Sequence, residues 1–256
     1  MTLIHVEHLT HWFGGLRAVH DFNLDLHEAE LVAIIGPNGA GKTTIFNLIT
    51  GVYRPTEGVI EHKGQSLVGQ PTHKIIGGGI ARTFQNIRLF KELTVLDNIR
   101  IAPYSEAGYS PLEAMLRLPR FLHQEEEIRR DARKLLELLG LEELRFSISK
   151  NLPYGQQRRL EIARALATRP NILLLDEPAA GMNPNEVETL INLILMIKKT
   201  FNLTILLIEH QMRVVMSIAE RIKVLDFGQT IAEGTPDEIQ NNPRVIEAYL
   251  GEEEKV

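Results

Sequence analysis

An α/β fold with a mainly parallel core sheet, an N-terminal antiparallel β layer and an inserted helical lobe follows from three features of the sequence. Continuous apolar runs recur at Leu31-Val32-Ala33-Ile34-Ile35, Ile172-Leu173-Leu174-Leu175 and Leu203-Thr204-Ile205-Leu206-Leu207-Ile208. Strands covered on both faces lose the alternation of half-exposed ones and read as unbroken apolar segments. Between the last two runs, Val187, Leu190, Ile191, Ile194 and Leu195 recur at the spacing of an amphipathic helix. Strands alternating with helices predict a largely parallel sheet. The first thirty residues instead alternate apolar and polar, as at Leu24-Asp25-Leu26, which suits half-exposed antiparallel strands.

The middle of the chain is different. From about residue 86 to 167 the pattern is mostly helical, with Leu135, Leu136, Leu138 and Leu139 in one cluster and no convincing strand. A single domain is therefore expected, with a core at about 1–85 and 168–256, a helical subdomain at about 86–167 and a surface insertion near 103–127. Glu125-Glu126-Glu127 reads as a solvated helix face, and Glu252-Glu253-Glu254 as a frayed tail. Asp226-Phe227-Gly228-Gln229, between two short apolar segments, signals a hairpin. No internal repeat is visible.

Composition narrows the function. The 256 residues are 44% hydrophobic and 24% charged, an ordinary globular balance. With no cysteine, disulfides, thiolate metal sites and cysteine nucleophiles are excluded. A net charge of −5 without a basic run argues against a nucleic-acid surface. No secretory signal is expected at Met1-Thr2-Leu3-Ile4, and no apolar stretch approaches the roughly 20 residues of a membrane span. A role at a membrane would be played from the cytosolic side, through a partner. His5, His8 and His11 recur every third residue, but strand alternation would turn His8 away from the other two. His20, His27, His62, His73 and His123 are scattered and expected in solvent.

The chemistry begins at Gly36-Pro37-Asn38-Gly39-Ala40-Gly41-Lys42-Thr43, which fits G-x-x-x-x-G-K-[ST] in full after a predicted strand and before a helix expected at Ile45 to Ile49, with Thr44 among the expected ATP contacts. Glycines let successive backbone N–H groups face a phosphate, and the helix adds its positive end. Lys42 is the expected contact to the β- and γ-phosphates of ATP, and the Thr43 hydroxyl an expected Mg²⁺ ligand. The second apolar run ends in Asp176-Glu177. Asp176 is placed to hold the metal through water. Glu177, one step along the pleat, would face the other side and polarise the attacking water.

Asn151-Leu152-Pro153-Tyr154-Gly155-Gln156-Gln157-Arg158-Arg159, with Gln156 20 residues before Asp176, resembles the LSGGQ signature of ATP-binding cassette ATPases. Arg82-Thr83-Phe84-Gln85 resembles their Q-loop, Ile208-Glu209-His210 their switch histidine, and Trp12-Phe13-Gly14-Gly15 their adenine-stacking loop. Ala81-Arg82-Thr83-Phe84-Gln85-Asn86, Ala179-Ala180-Gly181-Met182-Asn183-Pro184 and the segment from Asn242 to Gly251 narrow the likeness to branched-chain amino acid importers. The likeness is to the larger of that system's two ATPase subunits.

The resemblance implies a P-loop NTPase core and a head-to-tail dimer, either of identical chains or with a second ATPase subunit. Each ATP would lie between residues 36–44 of one chain and Leu152, Pro153, Tyr154, Gly155 and Gln156 of the other. Phe13 would stack on adenine, with Trp12 as the second candidate. Gln85 would join the metal and water to the helical lobe, and His210 would contact the γ-phosphate. Membrane permease subunits and, indirectly, a periplasmic or extracellular solute-binding protein are the implied partners, at the cytoplasmic face of the membrane. Urea or amide import, lipopolysaccharide export, a soluble non-transport cassette and a non-hydrolysing sensor are the alternatives.

Two positions depart from the pattern. Pro153 replaces the signature serine and removes a hydroxyl and an N–H; either neighbouring donors compensate, or the ATP site using this loop is the slower of a pair. Asn183 stands where many cassettes have aspartate, and Asn183-Pro184 also reads as a helix N-cap followed by proline at the first helical position.

Overall fold

β1 (Thr2–Phe13) and β2 (Leu16–His27) form an antiparallel hairpin turned through Gly14 and Gly15. β3 (Leu31–Ile35), α1 (Lys42–Ile49), β4 (Glu57–His62), β5 (Gln65–Ser66), α2 (Thr72–Gly77) and β6 (Ile80–Arg82) follow. A helical segment carries α3 (Val95–Arg100), α4 (Pro111–Met115), α5 (Pro119–Leu138) and α6 (Tyr154–Leu166). The chain then returns through β7 (Ile172–Asp176), α7 (Pro184–Phe201), β8 (Thr204–Ile208), α8 (Met212–Ile218), β9 (Arg221–Asp226), β10 (Gln229–Gly234), α9 (Pro236–Gln240) and α10 (Pro243–Glu253). This computed structural model describes residues 1–106 and 108–253; Glu254, at the end of the acidic tail, and Ala107, within the insertion, lie outside them. Met1–Arg82 with Asn171–Val256 form one compact unit, and Thr83–Pro170 a second.

The first unit holds two sheets. One is antiparallel, in the order β2-β1-β4-β5; the other runs β10-β9-β3-β8-β7-β6 and is parallel except for the β9–β10 hairpin. Every residue of β3, β7 and β8 is buried, as their unbroken apolar composition requires. Phe227 and Gly228, both at positive φ, turn the hairpin.

The histidines need correction. Register shifts between Val6 and Leu9 and between Leu9 and His11, with His8 left-handed at φ 51°, break the pleat of β1. His5 and His8 therefore both meet water and pair with Asp25 and Asp21 at 2.7 Å, whereas His11 is buried and stacked on Tyr53. His62, expected in solvent, closes β4 with its side chain inside, and burial lowers its pKa. Among the described residues no cluster of His, Cys, Asp or Glu is arranged to hold a metal.

α7 starts where its sequence directs. Asn183 Oδ1 accepts hydrogen bonds from Asn185 N and Glu186 N at 3.0 and 3.1 Å, Glu186 Oε2 accepts one from Asn183 N at 3.0 Å, and Pro184 fills the first turn. Such a cap stabilises a helix by about 1 kcal/mol. The buried stripe is Val187, Leu190, Ile191, Leu193, Ile194 and Ile197; Leu195, assigned to it from spacing, is exposed. The stripe is centred near Leu190 and Ile194, which puts Leu195 about 40° beyond its edge residue Ile191.

In the second unit, Leu136 and Leu139 are buried and Leu138 is exposed. Thr94 caps α3, and Thr94 and Ile148 form an isolated antiparallel bridge. Glu125 departs from the expected solvated face. It accepts from Arg100 Nη2 at 2.8 Å, from Tyr109 Oη at 2.8 Å and from Tyr104 Oη at 3.3 Å. Burial opposes its charge, yet these donors hold it below the usual carboxylate range. Charge alone gave no sign of this, because the donors lie 16 to 25 residues away in sequence. Among the described residues no helix is long and apolar enough to cross a membrane.

Candidate active site

The loop between β3 and α1 is built around two glycines. A Cβ on Gly36 would sit 2.0 Å from Leu225 O, and one on Gly41 would sit 2.4 Å from Ala18 O. Both also have positive φ, 146° and 96°. No other residue fits either place. Lys42, buried at the first position of α1, donates from Nζ to Gly36 O at 2.6 Å and to Pro37 O at 2.8 Å. Its ammonium is thereby held inside the curl of the loop. Asn38, Gly39 and Thr43 are exposed, Thr44 partly so, and Pro37 and Ala40 are buried. The first turn of α1 has no acidic residue to compete for an anion.

Asp176 ends β7 with 2% of its surface exposed, and Arg82 Nη2 donates to its Oδ2 at 2.8 Å. The same guanidinium donates to Asn47 Oδ1 at 2.7 Å and Thr50 Oγ1 at 3.2 Å, both on or next to α1. Arg82 therefore ties α1, the helix after the glycine loop, to the strand-end carboxylate. Sequence reasoning placed Arg82 in a motif but gave it no task; the cue was a cation on the strand beside Asp176.

Glu177 does not continue the pleat. It is left-handed at φ 45°, with its N–H donating to Ile208 O at 2.9 Å. Its direction comes from this turn, and holding a non-glycine residue so costs about 1–3 kcal/mol. The turn brings Glu177 Oε2 to 3.7 Å from His210 Nδ1. Glu209, fully buried between them in sequence, accepts from Ala179 N at 2.8 Å, His210 N at 3.0 Å and Gln211 N at 3.2 Å. Gln211 Nε2 donates to Ala179 O at 3.0 Å. The loop after Glu177 and the loop bearing His210 are thus one hydrogen-bonded body. Burial pushes the Glu209 carboxyl up, against the pull of those three N–H groups.

Phe13, at the end of β1, is 42% exposed and packs edge-on against His11 and Tyr53, at 4.6 and 5.2 Å between ring centres. Trp12 is equally exposed and lies under Arg17 at 5.6 Å.

In the second unit, Gln85 is exposed, and its backbone O accepts from Arg158 Nη2 at 2.8 Å. Pro153 is the N-cap of α6, with no side-chain cap; its O accepts from Gln156 N and Gln157 N at 3.0 Å. Leu152 is buried, and Gln157 Nε2 donates to Leu152 O at 2.7 Å. Tyr154 is 40% exposed, and Gly155 sits in the first turn.

Comparison with known proteins gives the family. Residues 19–180 match the ABC transporter family model, and residues 229–255 match one described as branched-chain amino acid ATP-binding cassette transporter. The chain is 48% identical over 250 residues to the high-affinity branched-chain amino acid transport ATP-binding protein BraF of Pseudomonas aeruginosa, covering 98% of each. It is also 48% identical, at the same coverage, to LivG of Escherichia coli K12. Among solved structures it resembles an ATP-binding cassette of an ABC transporter in its ADP conformation, with a TM-score of 0.85, 32% identity and 98% of this chain covered. It also resembles a dimeric ATP-binding cassette in a post-hydrolysis state bound to ADP and phosphate, with a TM-score of 0.76 and 26% identity. The chain belongs to the ATP-binding cassette transporter family, as one of its ATPase subunits, in the branch whose relatives serve branched-chain amino acid transport.

Proposed function

We propose that this chain hydrolyses MgATP to drive a membrane importer of branched-chain amino acids. It works as a dimer with a like or second cassette, on the cytoplasmic face of the membrane beneath permease subunits served by a solute-binding protein. The observation that carries the catalytic part is the Glu177–His210 pair at 3.7 Å, on loops locked together by Glu209, in the same unit as the phosphate loop and Asp176. The solute class is supported by the named relatives and by the match of residues 229–255, which favour amino acids over urea, amides or lipopolysaccharide.

The residues divide the work. Backbone N–H groups of residues 36–44 and the start of α1 bind the phosphates, and Lys42 turns its ammonium from loop carbonyls toward the β- and γ-phosphates. Thr43 and Asp176 offer the hydroxyl and carboxylate oxygens that suit Mg²⁺, which usually takes one or two protein oxygens beside phosphate and water. When bound, Mg²⁺ neutralises charge building on the β- and γ-oxygens. Glu177 accepts a proton from the water as its oxygen bonds to the γ-phosphorus and the bond to the ADP oxygen breaks. His210 steadies the γ-phosphate, and Phe13 offers an exposed ring to adenine. Tyr154, Gly155 and Gln156 complete the partner's site, and Gln85 reports nucleotide state to the helical lobe.

Reconstitution with the cognate permeases and binding protein in proteoliposomes tests this reading. ATP-dependent uptake of labelled leucine is expected, with ATPase activity rising when liganded binding protein is added. Uptake of urea without leucine would overturn the solute assignment.

A further inference from the structure

Arg158 is fully buried one turn into α6, and Glu161, 2% exposed, lies one turn further on. They pair at 2.7 Å. A buried ion pair is rarely the most stabilising way to fill such a space, so its other contacts matter. Arg158 Nη1 also donates to Phe84 O at 2.7 Å, and Nη2 donates to Gln85 O at 2.8 Å and to Tyr154 Oη at 3.2 Å. Glu161 Oε1 accepts from Arg88 N at 3.1 Å and from Phe84 N at 3.4 Å. Two side chains of one helix thus hold four backbone groups of residues 84–88, and the same guanidinium touches the signature tyrosine.

The geometry needs these residue types. Only a planar guanidinium places two N–H forks on successive carbonyls while a third contact goes to a hydroxyl. Only an acceptor-only side chain at 161 answers both the loop N–H groups and the arginine. With the carbonyls of Phe84 and Gln85 fixed, the peptide from which the Gln85 side chain departs is fixed too.

We propose that Arg158 and Glu161 are positioning residues that couple the signature loop of a cassette to its own Gln85 loop. Engagement of Tyr154 by the partner's nucleotide is passed through Arg158 to the backbone at Gln85. Each site would then be informed of the other's occupancy within one rigid helix. This rests on the roles given above to Gln85 and to residues 152–156.

A mutant cycle tests it in the reconstituted transporter, with kcat, the KM for ATP and thermal unfolding measured together. Gln85→Ala and Glu161→Gln are each expected to lower kcat about tenfold with KM changed less than about twofold, and the double variant to fall no further. Arg158→Lys keeps the charge but loses the fork; it is expected to remain folded and still lose kcat about tenfold. Wild-type kcat in Arg158→Lys, or losses that multiply in the double variant, would overturn the coupling. Normal kcat in Gln85→Ala alone, with the other variants impaired, would instead overturn the role given to Gln85. Arg158→Lys also serves if Glu161→Gln fails to fold.

Discussion

Arg82 reaches Asp176 across two neighbouring parallel strands. Its partner in register is Leu174, so the guanidinium extends forward along the same face to the carboxylate two residues on. The ion pair is buried, with side chains 7% and 3% exposed. Arg82→Met removes one member of a buried pair that also ties α1 to the sheet. A loss of about 3 kcal/mol is expected by urea unfolding, with a lower ATPase kcat. Unchanged stability would show that Asp176 is held by other means.

The two crowded glycines set a steric test. Gly36→Ala would place a methyl group 2.0 Å from Leu225 O and is expected to abolish binding of a fluorescent ATP analogue. Gly39, at φ 80°, has nothing within 4 Å of the place a methyl group would take. Gly39→Ala should therefore meet only backbone strain, about 1–2 kcal/mol, and keep measurable binding. Equal loss in both would separate the effect from the Leu225 contact.

Pro153→Ser restores the hydroxyl usual in the signature loop. It adds an N-cap worth about 1 kcal/mol. Loss of proline's restriction on the unfolded chain offsets that by about 0.4–1 kcal/mol. Thermal stability should hardly move, which leaves steady-state ATPase of the dimer as the readout. Faster turnover is expected if the loop makes a slow site; an unchanged rate means neighbouring donors already compensate.

Arg221 links Glu30 and Glu233 across the first unit, donating from Nε to Glu30 at 2.8 Å. Burial opposes charge on both carboxylates, but their cationic partners outweigh it and hold both below the ordinary 4.5. A depressed carboxylate contributes stability above its unfolded pKa and loses it as pH falls through the folded value. Arg221→Met should cost about 2 kcal/mol at neutral pH. The gap from wild type should narrow well below pH 4.5. Urea unfolding at neutral pH and in acid measures both values; a gap independent of pH would contradict it.

What the sequence made legible was local. The runs at residues 31–35, 172–175 and 203–208 announced buried strands because each carries its own burial signal. The loop at residues 36–43 was readable because its glycines, lysine and threonine lie within eight residues. The cap at Asn183 is likewise contained in one turn. Pairings across the chain were not readable. Arg82 finds Asp176 94 residues away, and Glu209 finds Ala179 30 residues away. Arg158 reaches back 74 residues to Phe84. The inserted residue at His8 changed which faces the histidines occupy, and nothing nearby marks a bulge. Glu177 drew its direction from a left-handed turn that strand alternation does not contain.

The central claim is that Glu177, turned out of β7 toward His210, takes the proton from the attacking water. Single-turnover hydrolysis of MgATP by Glu177→Gln, with nucleotide affinity measured on the same preparation, tests it most directly. The isosteric amide should keep ATP bound at wild-type affinity while the rate falls at least about 100-fold. Hydrolysis at the wild-type rate would contradict the role assigned to Glu177.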